Sequence, residues 1–312
     1  MAFIVSGLLA ASAPAASQAA QTLVVCPSGC PYSTIHDAVT AASAGDTIDV
    51  KPGTYRENLT IDKPLTITGA GAQQTIVASA HPRETVVVVA AHPVRLAKLT
   101  VEGSEAGGIF NQSGGTLTVA YSTVRNNPRS GGGIGNDAGA TLILTHSTVS
   151  GNAAGRGGSG GGLSNAGTAI VRYSQLLNNF ATTNGGGIVN TGEMTLTYST
   201  VSGNSSHFGG GIYNNGKLTM THSTVSSNTS TSGRGGGILN DGTATLKFSQ
   251  LLNNSAGSTG QGGAIYSTNT QVKLVETEVR GNSTPQCVPT TICVSSAAVA
   301  ADYTQDDNAG YD

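Results

Sequence analysis

The sequence predicts an all-β chain, a single-stranded parallel β-helix (β-solenoid) with a short N-terminal capping helix. Three observations carry this. A Gly-Gly-apolar signature recurs with its apolar residue at Ile109, Ile134, Leu163, Ile188, Ile212, Ile238 and Ile265, spaced 25, 29, 25, 24, 26 and 27 residues apart. A near-constant period of this length marks stacked structural repeats. Within each copy the apolar residues alternate, as in Leu117-Thr-Val119 or Leu196-Thr-Tyr-Ser-Thr-Val201, which is the period of a strand, and helix punctuation is missing. Two columns of asparagine keep step with the signature: Asn111, Asn136, Asn165, Asn190, Asn214 and Asn240, and Asn127, Asn152, Asn179, Asn204, Asn228, Asn254 and Asn282. Identical amides stacked at a strand spacing of about 4.8 Å can hydrogen-bond as a ladder, satisfying polar groups at bends the backbone cannot serve. Each repeat is then one coil, pairing with the coils above and below it.

Taken from the N-terminus, the opening MAFIVSGLLAASAPAASQAAQ has an apolar run followed by small residues. It reads as a secretory signal over 1–20, cleaved between Ala15 and Ala20. Residues 21–294 form the β-helix domain, with an N-terminal cap over 21–45, rungs over about 46–283 and a C-terminal disulfide loop over 284–294. In the cap, Ser33 to Ala42 shows helical apolar spacing with Ser33 placed to cap it, and GDTIDVKPGTYRENLTIDKPLTITGAG alternates like strands between turns. The four cysteines form two close pairs, Cys26 with Cys30 and Cys287 with Cys293, one at each end of the array. In an exported protein these read as two small disulfide-closed loops. Insertions such as NAAGRGGSG fall after the second asparagine of a copy, so the loops line one side of the stack, and the glycines after them supply positive φ where the chain rejoins the coil. Residues 295–312 are a polar tail.

The stretch YSTIHDAVTAASAGDTIDVKPGTYRENLTIDKPLTITGAG resembles the entry of the pectin-lyase-like superfamily, and the GGGI-x-N and STVSGN copies look like right-handed β-helix repeat modules. The resemblance covers roughly residues 32–283 and implies a right-handed coil. It also implies a class of chemistry: uronan lyases hold Ca²⁺ with several carboxylates and use an Arg or Lys as base, and the hydrolases and esterases use two or three aspartates. The motifs that carry those activities are absent. Between residues 107 and 270 the acids are Asp137, Glu193 and Asp241. Asp137 and Asp241 share a column but lie four rungs apart, about 19 Å. A glycosidase pair needs roughly 5–10 Å. Glu57 and Arg56 read as turn residues, and Glu276 and Glu278 could share one exposed strand face. No catalytic residue is assigned, no metal site is expected, and Ca²⁺ enters only if the chain is a lyase.

Two sets of side chains are candidates for binding. Tyr121, His146, Tyr173, Tyr198, His222 and Phe248 each precede the inward serine of their rung, forming an outward column of rings that could stack to stabilise the bend or serve as a flat track for a sugar chain. The loop column carries Arg129, Arg156, His207 and Arg234, and guanidinium groups suit acidic polysaccharide. A formal net charge of −2 with no basic cluster argues against nucleic acid, and no other stretch is long and apolar enough to span a membrane. The expected protein is a secreted, monomeric, non-catalytic module contacting polysaccharide or cell-envelope partners. The alternative is a polysaccharide lyase or hydrolase. The Asn-X-Ser/Thr sequons at Asn58, Asn111, Asn204, Asn228, Asn253 and Asn282 look incidental, because several of these asparagines belong to the inward columns.

Overall fold

The computed structural model describes residues 19–257 and 260–294. The expected signal peptide (1–20) falls almost entirely outside the described residues, and the polar tail (295–312) wholly so. The chain winds as a parallel β-solenoid of three long sheets. The first has eleven strands, from Thr22–Val25 to Val272–Val275; the second has ten, from Gly53–Arg56 to Glu278–Arg280; the third also has ten, from Leu59–Ile61 to Cys287–Val288. A four-stranded corner sheet, Ala153–Ala154 to Thr229–Ser230, was not legible in the repeat pattern. One rung illustrates the path: Ile134–Asn136 in the third sheet, Thr141–Thr145 in the first and Thr148–Ser150 in the second, with the loop following.

Every pairing is parallel and in register. Ile109 lies against Ile134, Ile134 against Leu163, and the asparagines two residues on fall into line. Register holds because a one-residue slip would turn the buried set outward. Leu142, Leu144, Val149 and Leu163 are fully buried, and one continuous core runs from Val25 to Ile292.

Three polar columns follow the apolar ones inside. Asn111 Nδ2 donates to Asn136 Oδ1 at 2.8 Å, and the same bond repeats at 2.7–2.8 Å through Asn165, Asn190, Asn214 and Asn240. The second ladder runs from Asn127 to Asn282 at 2.9–3.0 Å. The third is formed by the inward serines that follow the ring column. The backbone N–H of Ser122 donates to the Ser147 hydroxyl, and this repeats through Ser174, Ser199, Ser223 and Ser249. The ladder asparagines are at least nine-tenths buried, which removes four of the six sequons, Asn111, Asn204, Asn228 and Asn282, from the accessible surface. Half-buried Asn58 bonds to the backbone of the 80–85 loop, while Asn253 stays exposed.

Glycine has two distinct duties here. The first glycine of a triplet turns the loop with positive φ, as at Gly185 (59°) and Gly235 (62°). The last does not. A Cβ on Gly187 would come within 2.9 Å of the Asn204 amide and 2.8 Å of the Gly211 carbonyl, so close packing against the ladder excludes any side chain there.

The N-terminal helix spans Ile35–Ala41, and its cap is Thr34, whose hydroxyl accepts the Asp37 N–H, rather than the expected Ser33. Glu57 is more than a turn residue: its carboxylate accepts the N–H groups of Ile35 and His36 at 2.9 and 2.7 Å. Lys63 donates to the carbonyls of Val39 and Ala42 at 3.1 and 3.2 Å. An anion at the N-terminus and a cation at the C-terminus both complement the helix dipole. Thr22–Val25, inside the expected cap, already pairs in register with Thr47–Val50. At the other end Cys287–Val288 extends the third sheet and a further short helix, Thr291–Val294, packs on it. Both disulfides, Cys26–Cys30 and Cys287–Cys293, are formed. No helix among the described residues is long and apolar enough to cross a membrane.

Candidate binding site

The aromatic column occupies the corner between the first and second sheets. Tyr121, His146, Tyr173, Tyr198, His222 and Phe248 all adopt left-handed backbone, with φ between 47° and 51°; Lys98 and Glu276 continue the column at its two ends. A left-handed non-glycine residue costs about 1–2 kcal/mol. Ring stacking offsets much of this, at about 0.5–1.5 kcal/mol per pair: successive centroids are 4.8, 4.9, 5.2, 4.9 and 5.1 Å apart, with ring planes within 20° of parallel. The stacking has a functional consequence. The four inner rings cover one another's faces, so the corner offers ring edges and phenol hydroxyls to a ligand rather than flat faces.

The loop column divides. Arg129 and Arg156 come together with Arg83, Glu105, Ala106 and Ser130 around an open recess of about 420 Å³. His207 and Arg234 are engaged elsewhere: His207 meets Phe208 edge-on at 4.5 Å, and the Arg234 guanidinium lies over the Tyr266 ring, 5.4 Å from its centroid. The recess is built from consecutive coils. Asn58 holds the 80–85 loop, accepting the N–H groups of Ala80 and His81 and donating to the carbonyls of Glu84 and Thr85. Buried Ser104 donates to the Glu84 carbonyl at 2.7 Å. Ser130 donates to the Glu105 carbonyl through both its N–H and its hydroxyl. The Gly155 N–H donates to the Arg129 carbonyl, tying the Arg129 and Arg156 loops together. Three arginines and one acid, Glu105, line the recess; the Glu105 carboxylate lies 3.4 Å from the Arg129 guanidinium, and Arg83 and Arg156 have no ion-pair partner among the described residues. Arg83 was not a sequence candidate, because it sits before the repeat array in a loop without periodicity.

The acids of the array are dispersed and each has local partners. Asp137 accepts the N–H of Ala138, Glu193 pairs with Lys217 at 3.3 Å, and Asp241 accepts from the Tyr213 and Thr268 hydroxyls, both at 2.8 Å. Burial, reinforced by the Asp241 hydrogen bond and charge, pushes the Tyr213 phenol up to about 12. Glu276 and Glu278 do not share a strand: Glu276 takes the left-handed corner position, while Glu278 lies in the second sheet and accepts from Gln250. Among the described residues no group of three or more His, Cys, Asp or Glu side chains converges.

Parallel coils closed on three sheets, with inward amide ladders and a loop-built recess on one side, define a parallel β-helix repeat protein. The chain belongs to the family described as the right handed beta helix region, which matches residues 85–283, more than half its length. No curated protein sequence matches it. Among solved structures it is similar to the pectate lyase Pel9A, with 14% identity over 82% of this chain and 79% of that one, at a TM-score of 0.52. It is also similar to pectin methylesterases from Aspergillus niger (17% identity, 88% and 89% covered, TM-score 0.44) and Erwinia chrysanthemi (12%, 91% and 95%, 0.43). At 14% identity the likeness to the pectate lyase is one of fold, consistent with the pectin-lyase-like resemblance of the sequence.

Proposed function

We propose that this protein is an exported, non-catalytic β-helix module that binds an acidic polysaccharide through the arginine recess. The observation that carries the reading is the excess of two guanidiniums over carboxylates among Arg83, Glu105, Arg129 and Arg156. Guanidinium forks pair bidentately with carboxylate or sulfate, and their positions on successive coils spread positive charge along the axis, as a linear polyanion requires. The dispersal of acids over the array supports binding without turnover. Two disulfides support an oxidising, extracytoplasmic setting. The ring corner adds phenol hydroxyls as secondary contacts.

Affinity electrophoresis in gels containing polygalacturonate, with a neutral glucan as control, tests this. Retardation by the polyanion alone is expected, declining with added salt. The double variant Arg83→Gln with Arg156→Gln should weaken binding about 5- to 30-fold, the equivalent of 1–2 kcal/mol for lost charged hydrogen bonds. Equal mobility in both gels removes the reading. Release of unsaturated uronides with Ca²⁺ supplied would establish the lyase alternative instead.

A further inference from the structure

We propose that Tyr173 and Tyr198 form a site for oxidative cross-linking, at which one dityrosine bond staples two adjacent coils. They are the only pair of phenols adjacent in the ring stack, with centroids 5.2 Å apart and planes 3° from parallel. Both are about half exposed, at 53% and 50%, so an external oxidant can reach them. Their backbones are fixed in left-handed geometry, and the N–H groups of Tyr173 and Tyr198 donate to the next coil at Thr197 and Thr221. Ring rotation alone does not suffice: a biaryl bond between ortho carbons holds its two Cβ atoms farther apart than the coil spacing of about 4.8 Å, so the corner must also open locally between these two coils as the bond forms.

The stack also dictates which phenols couple. The second face of Tyr173 is covered by His146 at 4.9 Å, and that of Tyr198 by His222 at 4.9 Å. A radical on either tyrosine thus has the other as its neighbouring phenol. Tyr121 is separated from Tyr173 by His146 and has no phenol beside it. The oxidant is hydrogen peroxide acting through a haem peroxidase. Each phenol loses one electron and one proton, the two radicals join through ortho carbons, and tautomerisation restores both phenols. The two electrons and two protons reduce one peroxide to two waters, and the protein loses two hydrogens. The bond would reinforce the middle of a solenoid whose disulfides lie only at its ends.

The test treats dilute full-length protein with peroxidase and hydrogen peroxide, then reads dityrosine fluorescence, denaturing-gel mobility and peptide mass after cleavage at Glu193, which separates the two tyrosines. A monomer carrying a linked pair of peptides two hydrogens lighter than their sum is expected. Tyr173→Phe and Tyr198→Phe, which keep the stacked rings, should each abolish that linked pair, while Tyr121→Phe leaves it intact. Dityrosine found only in covalent dimers, or a linked pair surviving in Tyr173→Phe, overturns the proposal.

Discussion

Single residues in this protein are constrained by what recurs one coil away. Asp46 shows the effect at the N-terminal end, where its carboxylate accepts the backbone N–H groups of Gln21 and Ser43, each at 2.8 Å. The first of these bonds, with the second, holds the carboxyl below its ordinary value of 3.8. The folded form therefore binds the proton less tightly than the unfolded chain. Its contribution to stability is complete above pH 3.8 and is lost as pH falls through the lower folded value. Asp46→Asn should flatten the acid limb of thermal stability against pH, measured by circular dichroism melting in buffers from neutrality to acid. An unchanged acid limb would show that the carboxylate bonds do not matter. Gly187 is constrained differently, by closeness rather than dihedral angle, and Gly187→Ala should destabilise by about 1–3 kcal/mol through overpacking against Asn204 and Gly211; urea unfolding measures it.

Elements are held by ladders that must begin and end somewhere. The first asparagine ladder ends at Ser267, whose hydroxyl receives the Asn240 amide at 3.2 Å. At its start, Asn111 Oδ1 is buried with no partner among the described residues, because Val89 occupies the register position beneath it. A buried acceptor left unmet costs about 1–3 kcal/mol. Val89→Thr keeps the shape and places a hydroxyl against that oxygen. An increase in stability of up to about 1 kcal/mol is expected by urea unfolding, and a clear loss would count against a vacant acceptor. The same element-scale reasoning accounts for the capping helix. Seven residues are too few to persist alone, so Glu57 and Lys63 hold it from the first rungs.

At the scale of the whole molecule the coils interact only with their neighbours, so stability is close to a sum over rungs and interfaces. Excising residues 188–211 removes one period, since Ile188 and Ile212 are equivalent positions in register. Asn165 then meets Asn214, and Tyr173 meets His222, restoring every column. The shortened protein should keep a β-sheet circular dichroism spectrum, melt cooperatively and bind polyanion as before, because the intact coil 163–187 still separates Arg156 from the cut. An aggregated or non-cooperative product would contradict the nearest-neighbour picture.

The sequence by itself determined the coil, its period, the inward asparagines, the outward rings and the cysteine pairs. These are properties that repeat, and a parallel stack turns each repeated residue into a column. It left open whatever depends on a single copy or on loops meeting across coils. Arg83 joins Arg129 and Arg156 only because Asn58 and Ser104 hold its loop against the next coils. Glu57 and Lys63 grip the helix only because the first rungs fold back beneath it. The sequence already set the rings in a column that could stack, and the tertiary structure shows the consequence: the coil spacing that aligns them closes their faces against each other and leaves no flat track. Repetition in the chain is visible one residue at a time; proximity between distinct loops exists only once the coils are stacked.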